Sequence, residues 1–318
     1  MDIRQLRYFV AIVEHGSFSR AATVLNVAQP ALSLHVRNME EALGTPLLHR
    51  NPRGVTVTEA GAILLRHARG ILDQLALGEE EIRGRLNDPS GTVKLGLPGT
   101  ISHILAVPLI TAARARWPKI RLRIAEAMSG FVLEWMREGR IDLAVLYDAV
   151  EDHGIRTERL LEEDLLFFGP AQGTAEAGLP APGEPLTFAT LARMPLILPG
   201  EGHGLRDLLT RTAREEGVTL DTVMDVDSYN NIKELVAEGL GFSVLPEHAI
   251  AREVAAGRLQ LWPVRDPPLR RSVYLARPGD RPVTSAAQAI CELTAATLID
   301  LARSDRWIGA KAVRRDES

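Results

Sequence analysis

The sequence predicts an α/β chain with an all-α-rich N-terminal winged helix-turn-helix, followed by two α/β lobes. Three observations carry that prediction. Within the first 58 residues, short amphipathic helical stretches meet at tight turns and lead into a strand, a Pro/Gly turn and a second strand. From Thr58 to about residue 87 a helical pattern runs without a proline. Beyond Gly91, short apolar runs alternate with helical stretches, which predicts parallel sheets covered by helices.

The helices of the head follow from spacing and punctuation. Leu6, Phe9, Val10 and Val13 recur on one helical face, with Arg4, Arg7 and Glu14 opposite, and Gly16 stops that helix. Ser17 can cap the next helix, which turns Phe18, Ala21, Ala22 and Leu25 inward. After a short turn at Asn26-Val27, Pro30 opens a helix over 30–43 whose buried stripe is expected to be Leu32, Val36, Met39 and Leu43. Gly44 ends it. Residues 47–57 then read as strand, turn, strand, with Arg50 and Arg53 at the turn. Two short helices joined by a tight turn form the arrangement that presents its second helix to the major groove of a duplex.

Leu64, Ala68, Ile71, Leu75, Gly78 and Ile82 recur at spacings of four and three along the next helix, a seam that asks for a partner helix. Homodimerisation is the expectation. Asp88-Pro89-Ser90-Gly91 breaks the helix and marks a domain boundary. Expected strands follow at 93–97, 120–125, 141–147, 165–169, 196–198, 223–226, 242–245 and 273–276, with a Gly/Pro/Ala-rich loop at 172–185. A last helix is expected at 284–303. The division is therefore 1–58 for the head, 59–88 for the linker helix and 91–303 for the lobes. The first lobe takes 91–162 and 267–303, the second 163–266, and 304–318 is left as a polar tail.

Composition bounds the function. With 318 residues and 46% apolar side chains the chain can bury more than one core. Net charge is −4, yet residues 1–58 carry six arginines against four acids, so the head is mildly basic. The lone Cys291 excludes an intrachain disulfide or a two-thiol switch and suits a reducing cytosol. The N-terminus lacks the pattern of a signal peptide, and no apolar run approaches the roughly 18 residues of a membrane span, so a cytoplasmic protein without membrane attachment is expected. The eight histidines show no metal-ligand spacing, and neither metal nor cofactor is expected.

The run LRYFVAIVEHGSFSRAATVLNVAQPALSLHVRNMEEALGTPLLHRNPRGVTVTEAG resembles the DNA-binding domain of the LysR-type transcriptional regulators. Further on, KLGLPGTISHILAVPLI, EAMSGFVLEWMREGRIDLAVLYD and NIKELVAEGLGFSVLP resemble that family's effector-binding domain. The resemblance spans residues 1 to about 303. It implies a winged helix-turn-helix, a dimerising linker and two lobes like those of periplasmic binding proteins. The implied partners are double-stranded promoter DNA, a small-molecule effector and further copies of the chain as a homodimer or homotetramer; RNA polymerase is a further candidate.

Gln29, Pro30 and Ser33 match the family's reading helix; glutamine can pair bidentately with adenine, and serine can donate to a base edge or a phosphate. Leu34 and Ala28 depart from the family pattern, which commonly has polar residues there. His35 and Arg37 are additional candidates for the DNA face, while Arg50 and Arg53 match the wing, where charge supplies salt-sensitive affinity.

For the effector, Thr100 and Ser102 follow the first strand of the lobes and open a helix, so hydroxyls and backbone N–H groups there could hold a carboxylate. The resemblance adds Ser129 and the loop around Gly202-His203, and position adds Tyr147 and Asn230. Helix capping alone would also explain Thr100, Ser129 and Asn230. An α/β hydrolase-like enzyme and a solute-binding protein remain alternatives. Against the enzyme, no Gly-x-Ser-x-Gly elbow or phosphate-cradling glycine loop is present. Neither alternative explains the head.

Overall fold

The computed structural model describes residues 1–318 except 52–53, 83–87, 148, 151, 153, 173–177 and 314–318, together with the side chains of all but residues 80, 81 and 129 among the rest. The head comprises α1 (Ile3–His15), α2 (Phe18–Leu25), α3 (Gln29–Leu43) and the antiparallel wing of β1 (Leu48–Asn51) and β2 (Gly54–Val57). Local chemistry sets the boundaries. Asp2 and Gln5 form a reciprocal capping box on α1, Gly16 and Gly44 take left-handed conformations that end α1 and α3, and Ser17 caps α2. Phe9, Ile12, Leu32, Val36 and Met39 form the core of the head. Leu43, expected in that stripe, is 47% exposed because Gly44 ends the helix before its last turn meets the core.

The linker helix α4 spans Glu59–Ile82. Its N-terminal half belongs to the head: Leu65 and Ala68 are buried there with Leu64 and Leu72 packed alongside. Ala68 therefore faces its own domain rather than a partner, a correction to the expected seam. Ile71 and Ile82 remain exposed, Ile82 at 88%.

The lobes follow as β3 (Gly91–Pro98), α5 (Gly99–Arg116), β4 (Ile120–Ala127), α6 (Ser129–Arg137), β5 (Leu143–Leu146) and β6 (Ile155–Pro170). After these come β7 (Leu186–Thr187), α7 (Phe188–Ala192), β8 (Leu196–Leu198), α8 (Gly204–Glu215), β9 (Thr222–Asp225), α9 (Tyr229–Ala237), β10 (Ser243–Pro246) and α10 (Glu247–Ala255). The chain closes with β11 (Leu259–Arg265), β12 (Arg270–Pro278), α11 (Ser285–Arg303) and β13 (Ala310–Ala312). The sheets are mixed rather than parallel. β3 pairs in parallel with β4 and β5, and β8 with β9, but β12 is antiparallel to β5 and β6, and β10, β11 and β13 are antiparallel to β6. β6 is the reason: residues 155–164 pair with β12 and residues 165–170 with β10 and β11, so one strand runs through both lobes.

One core gathers Val93 to Leu161 with Val273 to Trp307, and another gathers Leu165 to Leu269. Residues 304–313 are not a polar tail. Trp307 is buried in the first core, and β13 adds a strand beside Leu161–Glu163, because the indole can bury its bulk while its N–H finds a carboxylate. Among the described residues, no helix is long and apolar enough to cross a membrane.

Candidate DNA interface and effector cleft

In the head, α3 turns Gln29, Pro30, Leu34 and Arg37 to solvent on the side opposite Leu32, Val36 and Met39. Gln29 Nε2 donates to Ser33 Oγ at 3.0 Å, so the two expected reading residues hold each other on that face. Leu34, the next residue after Ser33, stands 49% exposed. His35 turns towards α1: its ring meets Tyr8 edge-on at 5.1 Å, and its Nδ1 is buried with no hydrogen-bond partner among the described residues. On the wing, the Arg50 guanidinium lies 4.7 Å over the Phe18 ring and 3.9 Å from Glu40. Arg53 lies outside the described residues.

Between the lobes, the first turns of α5 and α6 face those of α8, α9 and α10. Two glycines permit the approach. A Cβ at Gly99 would sit 3.1 Å from the Tyr229 ring, and one at Gly130 would sit 3.2 Å from the Gly202 carbonyl oxygen. Thr100 is buried, its hydroxyl shared with the Tyr147 hydroxyl and accepting from Arg271 Nη2 at 3.3 Å. The Arg271 guanidinium stacks on the Tyr147 ring at 3.4 Å. Beneath it, Glu163 accepts from Arg271 Nε and, at 2.8 Å, from the Trp307 indole. His248 completes the floor, with Nε2 3.2 Å from the Thr100 carbonyl and Nδ1 3.9 Å from Glu163. A cavity of about 190 Å³ opens beside this cluster, lined by Tyr147, Gly204, Leu208, Arg211, Arg271 and Tyr274 among others.

Burial sets the protonation states. It raises the Tyr147 phenol above its ordinary range against the opposing pull of Arg271, and it lowers His248 despite nearby Glu163. His203 caps α8, accepting the Leu205 N–H on Nδ1 at 3.1 Å. Burial first and Arg271 second lower it to about 4, so it is neutral at physiological pH.

The structure thus joins Thr100 to Tyr147 directly and brings His203 within the field of Arg271. Gly202 abuts α6. Ser102 is buried in the first turn of α5, and Asn230 is exposed on the first turn of α9 beside Tyr229. Ser129 opens α6, but its side chain lies outside the described residues. Arg271, Glu163, His248 and Trp307 join the cluster without a motif that marks them in the sequence. A signal existed: Arg271 shares strand parity with buried Val273 and Leu275, and Glu163 with Leu161 and Leu165. A charge on the apolar face of a strand needs a buried partner. Among the described residues no group of three or more His, Cys, Asp or Glu side chains is placed to hold a metal ion.

Comparison with known proteins finds matches over two parts of the chain. Residues 3–62 match the bacterial regulatory helix-turn-helix proteins of the lysR family, and residues 86–298 match the LysR substrate binding domain. The nitrogen assimilation regulatory protein nac of Escherichia coli K12 is 34% identical over 296 residues, covering 92% of this chain and 94% of nac. A hydrogen peroxide-inducible genes activator of Escherichia coli O157:H7 is 31% identical, covering 92% and 94%. Full-length OxyR from Pseudomonas aeruginosa, solved as a variant, superposes with a TM-score of 0.78 at 27% identity, covering 94% of each chain. With both domains matched and relatives of this identity aligned nearly end to end, the chain belongs to the LysR family of transcriptional regulators, with a helix-turn-helix for DNA and a two-lobe effector-binding domain.

Proposed function

We propose that this regulator takes a small organic acid between its lobes and that occupancy of the cleft changes how the head engages promoter DNA. The observation that carries the acid is the buried Arg271, stacked on Tyr147 and hydrogen-bonded to Thr100, at a cleft ringed by helix N-termini. Glu163 and Thr100 engage two of the five N–H donors that a guanidinium has, and Arg271 also lines the cavity. A carboxylate there would meet the remaining N–H donors of a guanidinium already paired with Glu163, together with backbone N–H groups of the helix N-termini. Thr100, Tyr147, Gly202, His203 and Arg271 form the proposed effector site, and Ser129 and Asn230 are further candidates for it.

On the DNA side, Gln29, Ser33, Leu34 and Arg37 read the groove and Arg50 and Arg53 engage phosphate. Leucine at position 34 favours contact with a thymine methyl. The chain works in the cytoplasm as a homodimer or homotetramer and catalyses no reaction. Thermal unfolding of the full-length protein against a panel of carboxylic acids, paired with binding to a duplex from its own upstream region, tests this. A specific acid should raise the unfolding temperature by mass action and shift duplex affinity. A protein stabilised only by neutral sugars or cationic amines would overturn the acid assignment, and one indifferent to the duplex at low salt would overturn the DNA assignment.

A further inference from the structure

Helix α6 touches both functional ends of the chain. Its first turn lies against the second lobe, where a Cβ on Gly130 would come 3.2 Å from the Gly202 carbonyl oxygen, in the loop that leads into α8. Its last turn is gripped by the linker helix. The buried Arg69 of α4 donates from Nη1 to the carbonyl of Glu138, the residue that caps α6. The last carbonyls of a helix lack intrahelical partners and carry the negative end of its dipole, so a guanidinium there is compensated by both. Gly139 keeps the approach open: a Cβ at that position would stand 2.8 Å from Arg69 Nη1.

Arg69 also faces the reading head. Its Nη2 lies 3.4 Å from Glu14 Oε1 near the end of α1, and the same carboxylate takes Lys94 Nζ of β3 at 2.7 Å. One turn further along α4, Asp73 pairs with Arg281, between β12 and α11. Between its two ends α6 is nine residues, about 13 Å of hydrogen-bonded rod. Val132 and Met136 anchor it on a buried apolar cluster with Ile141 and Leu146. Phe9 and Ile12 of α1 in turn pack in one core with Leu32 and Val36 of α3.

We propose that α6 is the transmission element between the effector cleft and the DNA-reading head, and that Arg69 is the positioning residue that couples it to α1. A displacement at Gly130 passes along the rod to the Glu138 carbonyl, and from there through Arg69 and Glu14 to the helix that backs α3. The inference deepens the effector reading and rests on it.

A double-mutant cycle on the full-length protein tests the coupling without any ligand. Gly130→Ala adds one methyl group where the Gly202 oxygen must give way by a few tenths of an ångström, which pushes on the cleft end of α6. Affinity for a labelled duplex from the upstream region is measured for Gly130→Ala, Arg69→Met and the pair. Gly130→Ala should shift the dissociation constant by about fivefold or more, the lower edge of ordinary allosteric coupling. In the Arg69→Met background the shift should shrink below about twofold, and Arg69→Lys should retain part of it.

If Arg69 served only the stability of the fold, its loss would lower affinity but leave the Gly130 effect unchanged, so additive shifts would overturn the proposal. No shift from Gly130→Ala would also overturn it. Should Gly130→Ala fail to fold, amide exchange across residues 130–139 with and without duplex replaces it. Protection on duplex binding that is present in the native chain and absent in Arg69→Met supports the coupling, and equal protection in both overturns it. If the unmodified chain ignores the duplex, the regulator reading itself falls, whereas duplex binding with additive substitutions sinks the coupling alone.

Discussion

Histidine 203 shows how one residue ties capping, charge and the cleft together. As a neutral ring it accepts the Leu205 N–H and starts α8; protonated, it would lose that acceptor and meet the positive Arg271. Its folded pKa, about 4, lies below the ordinary 6.5, so the unfolded chain takes up a proton first as pH falls. The stability it contributes is therefore complete above pH 6.5 and is lost as pH drops towards 4. His248 is shifted in the same direction and adds to the same slope. The urea midpoint should thus decline from pH 6.5 to 4, and His203→Asn, which keeps a capping oxygen without the titration, should decline less steeply. An equal slope in both proteins would show that His203 is not a source of the acid sensitivity. Cys291 gives the opposite lesson. Burial pushes its thiol up to about 11, leaving little reactive thiolate at neutral pH.

At the scale of elements, the division of labour in the head follows from geometry. Gln29 lies on the open face of α3 with its amide held by Ser33, whereas Arg50 sits on the wing against Phe18. Gln29→Ala should cost about 1–3 kcal/mol of discrimination at one base pair. Arg50→Ala should weaken binding to all duplexes alike and reduce the salt slope by about one. Competition titrations against single-base operator variants at several salt concentrations separate the two; uniform weakening by Gln29→Ala would remove it from base reading. The helices of this head were legible because their ends are written locally: Gly16, Ser17, Pro30 and Gly44 stand where the chain turns. The first half of β6 was not. Its sequence IRTERLLEED is rich in strong helix formers, and pairing with β12 and β13 overrides that preference. The effector cleft was half legible for the same reason. Thr100 and Tyr147 follow strands and could be placed from pattern, but the Arg271–Glu163 pair is 108 residues apart and becomes visible only once the β6–β12 register is known.

For the whole molecule, the linker helix decides what is left for another copy. The heptad spacing predicts a continuous seam from Leu64 to Ile82 for a partner. Instead, the head takes Leu65 and Ala68 for its own core, and Arg69 and Asp73 bind Glu14 and Arg281. What remains open is a shorter stripe, with Ile71 and Ile82 exposed and Leu75 half-buried. These three positions, at spacings of four and seven, stay on one face of α4. An isolated chain leaves that apolar face in water, and burying a side chain such as isoleucine is worth about 1.5–3 kcal/mol. A second α4 is the simplest cover. Ile71→Glu together with Ile82→Glu should therefore favour the monomer while leaving the head folded, since neither residue belongs to its core. Sedimentation velocity over a concentration series reads the assembly, and far-ultraviolet circular dichroism checks the helices. Duplex affinity should fall with the assembly, because two linked heads bind with an effective concentration that one head lacks. An unchanged sedimentation coefficient in the doubly substituted chain would mean that the lobes alone hold the copies together, and that the linker's open stripe is covered by something other than its twin.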